Sequence, residues 1–490
     1  MSKPRMIEKA KDLSLVVLFL STVLLLYFFW GNSAFNNADA SNQNPDENIL
    51  DAAYLIQPDQ IVVNFGADNY TVLMPGETGI WQNSGSETCI LDEINQFGQA
   101  DNILVKEITK EQYLEAMKYR SIQAAFNFNI PMTDFCINFD LEKPQSYETI
   151  DTVTSVGYST GSAESLLIYD GKNGKYYRMA ADADHTNFSG LIDTIETAGY
   201  DIYYPASTYL GVNNNTLVPL ALETNLRSFP FRQDTYSYQA EKISAVAENF
   251  FGGNFDFVRK ITEDNGTIIY MYGYGQNVLI ANTDGSIEYK EEQTTNDENQ
   301  GFLEALKTAV QFVAKHGSWE SLDGARLTPY LKDVIVDPEK EIGYRFIFGM
   351  EINGTKLFYE DGEAIVIEVT SGQVTYYKRN MIDFNQEDLD AIAGYDSEPA
   401  FSSVNLIAQN YQYLYNILIE SGGINASLDQ TVVFEDVASL ITQMQIGYIR
   451  LASEEITEIQ PVWVVTINNV NVYFDLYSAE PLGYGEEQKE

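Results

Sequence analysis

The sequence predicts an α+β protein in which an N-terminal transmembrane helix precedes exported domains of antiparallel sheets with helices on one face. Three observations support this fold class. An uncharged apolar run stands near the N-terminus, amphipathic helical segments are followed by runs of alternating polarity, and turn residues separate those runs. With 45% hydrophobic residues, 33 Tyr and 26 Phe, the chain has too much apolar material for a disordered protein.

The apolar run, residues 13–30, is long enough to form a transmembrane helix. It would measure about 27 Å, close to the roughly 30 Å of a hydrocarbon core. Four basic and two acidic residues make up the charges of residues 1–12, so the positive-inside rule predicts a cytoplasmic tail there. The alternative is a signal peptide cleaved after Ala-Asp-Ala at 38–40, but its apolar run would be shorter and nearer the cut. We therefore expect a single-pass protein of the cell membrane with an extracellular body.

Beyond the span, residues 31–53 are rich in Asn and are predicted to form a flexible stalk. The chain carries 71 Asp and Glu against 29 Lys and Arg, a formal net charge of −42. This charge argues against a nucleic-acid partner, because binding phosphate backbones needs clustered Lys and Arg. The length of the body predicts an N-terminal exported domain at 54–235, a middle α+β domain at 236–384 and a C-terminal α+β domain at 385–485.

The first domain is predicted from local signals. Strands are expected at Gln60–Phe65 and Tyr70–Met74, joined by a turn. A helix is expected over Thr109–Tyr119, because its first residue is a capping Thr followed three residues later by Gln. Alternating apolar residues predict a strand at Ser121–Phe128, and a glycine-containing turn predicts a hairpin over residues 166–178.

The rest of the body looks like a loose repeat of one unit. Helices are predicted at Ala240–Phe251, Phe302–His316 and Phe434–Ile446, each followed by a small antiparallel meander. The polar stretches Glu288–Asn299 and Asn385–Pro399 are predicted to be linkers or loops between the units, and a strand is predicted to end at Glu288–Lys290. None of these units could bury its sheet face alone, so we expect them to pack together.

Metal and catalytic chemistry find little support in the sequence. His185 lies beside Asp182 and Asp184, but adjacent side chains rarely converge on a metal without ligands from elsewhere in the chain. His316 ends a predicted helix, where a charged His interacts favourably with the helix dipole. We therefore predict no metal site and no cofactor.

The stretch Gly157-Tyr-Ser-Thr-Gly161 has the letters of a nucleophile elbow. The strand–turn–helix context that this motif requires is missing, so we interpret it as a loop flanked by glycines. Carboxylate pairs are uninformative in so acidic a chain. We predict that the protein is not an enzyme.

Two further features leave alternatives open. Cys89 and Cys136 could form a disulfide or remain as two buried thiols. Trp81, Trp319 and Trp463 could line a sugar- or peptide-binding groove or fill the core, and core packing is favoured for Trp463. Tyr270, Tyr272 and Tyr274 alternate onto one strand face, which is either buried or exposed.

One face of the predicted span carries two hydroxyl residues seven positions apart. Small hydroxyl residues let helices approach closely in lipid, although they can also bond to their own helix backbone. The residues of this face are Ser14, Val17, Leu18, Ser21, Leu25 and Phe28.

Three stretches resemble the YycH family of Gram-positive bacteria. They are Pro58–Gly66 (PDQIVVNFG), Arg120–Pro131 (RSIQAAFNFNIP), and Gln460–Trp463 (QPVW) followed by Tyr473–Asp475 (YFD). Their order and spacing carry the resemblance, which covers most of the chain. The stalk and the strongly acidic body depart from what the family leads one to expect.

The resemblance implies a function without catalytic residues. Members of this family and their YycI-type sister proteins sit beside a sensor histidine kinase of the WalK or YycG type, which controls cell-wall metabolism. They regulate this kinase through their transmembrane helices, which favours a contact function for the Ser14 face. The resemblance also implies a C-terminal domain similar to PepSY modules. The alternatives are a PepSY-like exported inhibitor or binding module acting on proteases or wall components, and a wall-modifying hydrolase.

Overall fold

Alternating polarity and tight turns fold the chain into antiparallel sheets with helices beside them, as the sequence predicts. The computed structural model describes residues 52–486 except 76–78, 83–88, 101, 142–144, 162–164, 182–185, 232–235, 294–299, 318, 321–326, 337–342, 381–383, 393–394, 424–433 and 452–457. The described part is a mixed α+β structure. The predicted tail and span lie outside the described residues, and so does the stalk up to its last two residues, where a helical turn begins at Ala52.

No helix among the described residues is long and apolar enough to cross a membrane. The described helices are α1 Ala52–Leu55, α2 Ile90–Gly98, α3 Lys110–Met117, α4 Met132–Asn138, α5 Phe188–Ala198, α6 Ala206–Tyr209, α7 Tyr236–Phe251, α8 Phe302–Lys315, α9 Gln386–Ile392, α10 Ser403–Glu420 and α11 Phe434–Ala438.

The first sheet contains the strands of the N-terminal part of the body. Its order in the described residues is β3-β7-β6-β5-β4-β1-β2-β8-β9, and every pairing is antiparallel. The strands are β1 Gln60–Gly66, β2 Asn69–Leu73, β3 Leu104–Ile108, β4 Ser121–Pro131, β5 Thr152–Ser159, β6 Ser165–Asp170, β7 Lys175–Ala180, β8 Tyr203–Pro205 and β9 Leu217–Pro219.

The second sheet runs through the rest of the body. Its strands follow the order β12-β13-β14-β15-β20-β19-β17-β18-β22-β23-β24-β25 in the described chain, with β16 also paired to β17. The pairing of β18 with β22 is parallel. The strands are β12 Arg259–Thr262, β13 Ile268–Tyr272, β14 Asn277–Ala281, β15 Ser286–Glu291, β16 Thr328–Val336, β17 Gly343–Ile352, β18 Thr355–Tyr359, β19 Ile365–Thr370, β20 Gln373–Asn380, β22 Ile441–Arg450, β23 Glu458–Ile467, β24 Val470–Asp475 and β25 Pro481–Glu486.

Two short pairings connect the segment before residue 235 to segments beyond residue 385. Strand β10 (Glu223–Thr224) pairs with β21 (Glu398–Pro399), and β11 (Phe229–Pro230) pairs with β23. The predicted domain boundaries near residues 235 and 385 stay predictions, but these pairings show that backbone hydrogen bonds cross both of them.

Helices α7 and α8 cover one face of the second sheet near its β12 end. The ring centres of Phe250 in α7 and Phe312 in α8 lie 4.9 and 5.9 Å from the ring centre of Tyr289 in β15. Both rings also contact Tyr377 of β20. Aromatic contacts at these distances add to the burial of apolar area, so this face is part of the hydrophobic core.

Most local predictions are confirmed. Thr109 caps α3, its side chain accepts a hydrogen bond from the Gln112 backbone, and Gln112 returns one to the Thr109 N–H. The strands predicted at Gln60–Phe65 and Ser121–Phe128 are β1 and β4, and the predicted hairpin over 166–178 is β6–β7.

The helix predicted at Phe434–Ile446 is wrong. A helix covers only Phe434–Ala438, and Ile441–Arg450 forms strand β22. Apolar residues at helical spacing misled the prediction, whereas the tertiary structure pairs this segment with β18 and β23, and Phe358 packs against Gly447. The long helix of this unit is instead α10, at Ser403–Glu420, which the sequence analysis missed.

The two predicted linkers are wrong in part. Asn385–Pro399 contains helix α9 and the short strand β21. Strand β15 extends to Glu291, so the first residues of the predicted linker Glu288–Asn299 belong to the second sheet. At Asn385–Pro399, polar residues on the exposed side of α9 were mistaken for a loop.

Candidate functional site

The first stretch that resembles the YycH family contributes a buried ion pair. Asp59 immediately precedes β1, and its Oδ1 lies 2.5 Å from the Nζ of Lys356 on β18. The Lys356 and Asp59 side chains are only 6% and 13% exposed. Lys356 also donates to the Asp59 carbonyl at 3.1 Å, and Gln443 Nε2 donates to Asp59 Oδ2 at 3.2 Å. We call Asp59, Lys356, Gln443 and the neighbouring Tyr330 the Asp59 junction.

The electrostatics of the Asp59 junction favour its charged form. Burial raises the pKa of Asp59, but the ammonium group of Lys356 and the hydrogen bonds to the carboxylate outweigh it and hold that pKa below its ordinary value. The Lys356 Nζ also lies 5.6 Å from the Tyr330 ring centre, a cation–π distance. The junction therefore joins the first sheet to the second through a fully paired charge.

Asn64, in the same stretch, fixes the end of β1. Its Nδ2 donates to the carbonyls of Met117 and Lys118 at 3.0 and 3.2 Å, and its Oδ1 accepts from the Gly66 N–H at 2.8 Å. These bonds lock the turn after β1 against the end of α3, which is a structural function.

Arg120, which opens the second resembling stretch, holds a corner of the first sheet. Its guanidinium lies 2.5 Å from Asp193 Oδ1 and 2.6 Å from Glu196 Oε2 of α5, and it donates to the Phe65 carbonyl at 3.3 Å. The guanidinium also lies over the Phe65 ring. The arginine therefore attaches α5 to the start of β4.

The third resembling stretch lies in the core of the second sheet. Trp463 is 1% exposed and its Nε1 donates to the Phe401 carbonyl at 3.0 Å, so its predicted core packing is confirmed. Trp81 and Trp319 are buried as well. These three rings therefore do not form an exposed groove.

His316 is a buried aromatic partner at the end of α8. Its ring centre lies 4.0 Å from that of Phe312 and 4.4 Å from that of Phe250, and its Nδ1–H donates to the Phe312 carbonyl at 2.7 Å. Burial lowers the pKa of His316 to about 4. The ring is therefore neutral near pH 7, and the expected interaction of a charged His with the helix dipole is wrong.

Ser159 cannot act as an exposed nucleophile. It ends β5, it is fully buried, and its Oγ donates to the Ala116 carbonyl while accepting from the Gly161 N–H. The predicted loop is thus the end of a strand and the turn that follows it. Cys89 and Cys136 are present as buried thiols rather than as a disulfide.

Several predicted site residues fall outside the described part of the chain. They are the whole Ser14 face of the span, Asp182, Asp184 and His185. Among the residues that the structure does describe, no three His, Cys, Asp or Glu side chains are grouped as metal ligands would be.

An open cleft of about 510 Å³ lies between α3 and the β3–β7 pair. On its strand side Lys106 and Arg178 are direct cross-strand neighbours, and on its helix side stand Glu111 and Glu115. The cleft is further lined by Ile108, Gln112, Ala116, Tyr119 and Gly161. Its charges are of both signs, which gives it no marked preference for an anion or a cation.

The β12 end of the second sheet has a different character. Phe257 is 78% exposed and Tyr274 is fully exposed, although both are large aromatic residues. Phe257 precedes β12 by two residues, and Tyr274 follows Met271, the partner of Arg259, by three. The other residues of this region are Arg259, Lys260 and Ile261 of β12. We call these five residues the β12 corner. Tyr274 was expected to share a face with Tyr270, but Tyr270 is buried and Tyr274 is exposed, and neither the exposure of Phe257 nor strand β12 was predicted from the sequence.

Comparison with known proteins identifies the fold. The crystal structure of YycH from Bacillus subtilis matches the chain with a TM-score of 0.52 at 11% identity, covering 87% of this chain and 96% of that one. The structure of an uncharacterized protein from Eubacterium rectale matches with a TM-score of 0.34 at 13% identity, covering 61% of this chain and 99% of that chain. No family model and no curated protein matches the sequence. At this identity the likeness concerns the fold alone, and the chain has a YycH-like fold.

Proposed function

We propose that this protein is a membrane-anchored, extracellular accessory protein that regulates a two-component sensor histidine kinase of the WalK or YycG type. The observation that carries the proposal is the YycH-like fold, which extends over 87% of the chain. The three resembling stretches support it, because they occur in the order the family leads one to expect. They contribute Asp59 of the Asp59 junction, Arg120 at the start of β4 and the buried Trp463 of β23.

The proposed mechanism is a shift of a conformational equilibrium. A bound protein biases a kinase between two states only by its difference in affinity for them, and coupling free energies of about 1–3 kcal/mol are typical. Residues 13–30 would anchor the protein and contact the kinase helices through the Ser14 face. The body would contact the kinase or a YycI-type sister protein. This mechanism requires neither a cofactor nor catalytic residues.

The test is a crosslinking pull-down of the tagged full-length protein from its own cells. It is run beside a variant in which an unrelated transmembrane helix replaces residues 13–30. We expect a sensor kinase with the native span and its loss with the replacement. If no kinase is recovered with either span, the proposed function is wrong. Recovery of an exported protease in both arms would instead favour the PepSY-like inhibitor.

A finer test addresses the Ser14 face. Replacing Ser14 and Ser21 with Leu removes both hydroxyls and keeps the span apolar, so membrane insertion should be unchanged. Replacing Val16 and Val23 with Leu is the matched control, because a helix would place these residues on the side opposite the Ser14 face. We expect the Ser variant to reduce recovery of the kinase several-fold. Unchanged recovery would show that these hydroxyls bond only to their own helix.

A further inference from the structure

We propose that the β12 corner and the adjoining sheet face dock an acidic, extended segment of another protein, which pairs as an added strand with β12. This inference goes beyond the proposed function, because it concerns the body and not the span. It depends on that function only in the general sense that the protein acts by binding other proteins. Four separate features of the described residues support it.

The first feature is an open sheet edge. Strand β12 is the terminal strand of the second sheet, and it pairs on one side with β13 in a regular antiparallel register, from Arg259 opposite Met271 to Thr262 opposite Ile268. Among the described residues no strand pairs with its other side. An unpaired edge exposes backbone N–H and C=O groups, and an extended peptide can bind there by strand addition.

The second feature is an apolar sheet face next to that edge. Cross-strand partners share a face, and the register places Ile261 beside Ile269 and Ile269 beside Ile280. In the neighbouring row, Met271 lies beside Val278. These side chains are only partly buried, and they lie outside the hydrophobic core that α7 and α8 cover on the opposite face. A strand added to β12 would extend this apolar surface.

The third feature is unpaired positive charge in a chain of net charge −42. Arg259 and Lys260 are exposed, and neither forms an ion pair with any described residue. The Lys260 Nζ lies 5.5 Å from the Tyr270 ring centre. On the other face, which carries Arg259 and Ile261, Lys290 and Lys378 share Glu288 at 3.7 and 3.8 Å. An acidic partner would therefore meet two unpaired cations at the start of β12.

Acidic residues flank β12 at both ends. Asp256 precedes it as an exposed residue of a 3-10 helix (Gly252–Phe257), and Glu263 and Asp264 follow it. The positive charge is thus confined to the first two residues of the strand. Arg259 shares the apolar face of Ile261, whereas Lys260 lies on the Tyr270 side of the sheet. This arrangement favours a partner that has adjacent acidic residues beside Arg259 and Lys260, one on each face of its strand, and apolar residues beside Ile261.

The fourth feature is an exposed aromatic tip. Tyr274 has a φ of 58°, in the left-handed region, and stands between Gly273 and Gly275, which also have positive φ. A tyrosine rarely adopts this conformation, and such outliers concentrate at binding and switch sites. Exposed aromatic rings such as Tyr274 and Phe257 are typical anchors of protein interfaces.

Two other occupants fit these features less well. A lipid surface would accept the aromatic tip and the two cations, but it offers no backbone groups for the β12 edge, and an anionic membrane would repel a body this acidic. A second copy pairing β12 with β12 would bring two Arg259 and two Lys260 side chains into one four-residue ladder, where like charges repel. An acidic strand from another protein satisfies the edge, the face and the charge together.

The experiment is site-specific photocrosslinking of the full-length protein in the membranes of its own cells. A photoreactive amino acid replaces Ile261 in one variant and Tyr274 in another. Exposed Tyr209 and Leu440 serve as matched positions away from the corner. Crosslinked peptides are then identified by mass spectrometry. We expect Ile261 and Tyr274 to crosslink to one acidic segment of another protein, and Tyr209 and Leu440 not to.

Charge-reversal variants test the chemistry of the contact. R259E/K260E should lower the crosslink yield at Ile261 about tenfold, because attraction to an acidic strand becomes repulsion. K172E/K307E reverses two exposed lysines elsewhere and should leave the yield unchanged. Thermal unfolding of each variant, followed by circular dichroism, establishes that the fold is intact. Hydrogen exchange should show the β12 amides protected in the crosslinked complex.

Several outcomes would overturn the proposal. They are crosslinks to lipid, to a second copy of this chain or to a basic segment, the absence of any crosslink at the corner, and an equal loss of yield in K172E/K307E. A short charged strand that merely prevents aggregation would give no crosslink. The result is independent of the kinase pull-down, because that experiment exchanges the span and leaves the corner unaltered.

Discussion

Lys356 and Lys260 have similar aromatic neighbours and opposite surroundings. Their Nζ atoms lie 5.6 and 5.5 Å from the ring centres of Tyr330 and Tyr270. Lys356 is buried and lies 2.5 Å from the Asp59 carboxylate, whereas Lys260 is exposed and pairs with no carboxylate among the described residues. The Asp59 junction therefore satisfies its charges inside the protein, while the β12 corner leaves its charges available to a partner.

This difference separates a structural use of lysine from an interaction use. Removing one partner of a buried ion pair lowers the free energy of unfolding strongly, because the other charge stays buried without a partner. An exposed, unpaired charge contributes little to folding but steers association. Substitutions at the junction should therefore change stability, and those at the corner should change binding.

The largest effect is expected from Lys356→Met. It leaves the Asp59 carboxylate buried without its cation, so the free energy of unfolding should fall by about 3–5 kcal/mol. Urea denaturation measures this fall. A double variant that also carries Asp59→Leu removes the stranded charge and should recover part of the loss. A fall below about 1 kcal/mol in Lys356→Met would show that the pair is more hydrated than its burial indicates.

Acidification should next distinguish His316 from Asp59. The folded pKa of His316 is about 4 against an ordinary 6.5, so the unfolded chain binds the proton first and stability falls as pH drops from 6.5 towards 4. A shift of this size corresponds to about 3 kcal/mol. His316→Phe should remove that part of the slope in denaturation curves measured across this pH range.

The Asp59 carboxylate affects stability at a lower pH than His316 does. Its folded pKa lies below its ordinary value, so its contribution is present above the unfolded pKa and is lost only as pH falls below about 4. Asp59→Asn should therefore leave the slope between pH 6.5 and 4 unchanged. An equal slope in wild type and His316→Phe would contradict the assignment to His316.

Gly349→Ala should have an intermediate effect. A Cβ atom on Gly349 would overlap the Tyr330 ring, which lies against the Asp59 junction. Overpacking of this kind costs about 1–3 kcal/mol, measurable by urea denaturation. Gly253→Ala, near the β12 corner, is the control, because nothing lies within 4 Å of its added Cβ. Equal effects at the two glycines would contradict the contrast between tight junction and open corner.

The smallest effect on folding is expected from Tyr274→Gly. Glycine relieves the left-handed conformation, while the more flexible unfolded chain offsets that gain, so the free energy of unfolding should change by less than about 0.5 kcal/mol. The same substitution should lower the crosslink yield at Ile261. A large loss of stability would mean that Tyr274 supports the fold and not a partner.

Local signals in the sequence predicted the parts of the fold that short-range chemistry decides. The Thr109 cap and the alternation of β4 depend on residues close in sequence, and both are confirmed. Strand β22 was predicted as helix because its apolar spacing fits both periods, and its pairing with β18 and β23 decides the outcome. Tertiary context overrides local propensity at such positions.

The Asp59 junction and the β12 corner were harder to predict, because both depend on the tertiary structure. The Asp59–Lys356 pair joins residues 297 positions apart, so no local pattern announces it. Strand β12 has four residues and an Arg-Lys pair, which resembles a loop in composition. Its importance emerges only when the sheet order makes it a terminal strand. The sequence contains 71 Asp and Glu, so two basic residues that lack an ion pair cannot be recognised from the sequence alone.

The pairing of β11 with β23 has a consequence for biogenesis. Phe229 finds its strand partner Ile459 only after most of the polypeptide has been made. Contacts of such long sequence separation form slowly, and domains otherwise tend to fold in order during synthesis. Until β23 has been made, β11 therefore lacks its strand partner. Truncation before β23 should leave β11 unpaired and the segment around Phe229 more sensitive to limited proteolysis.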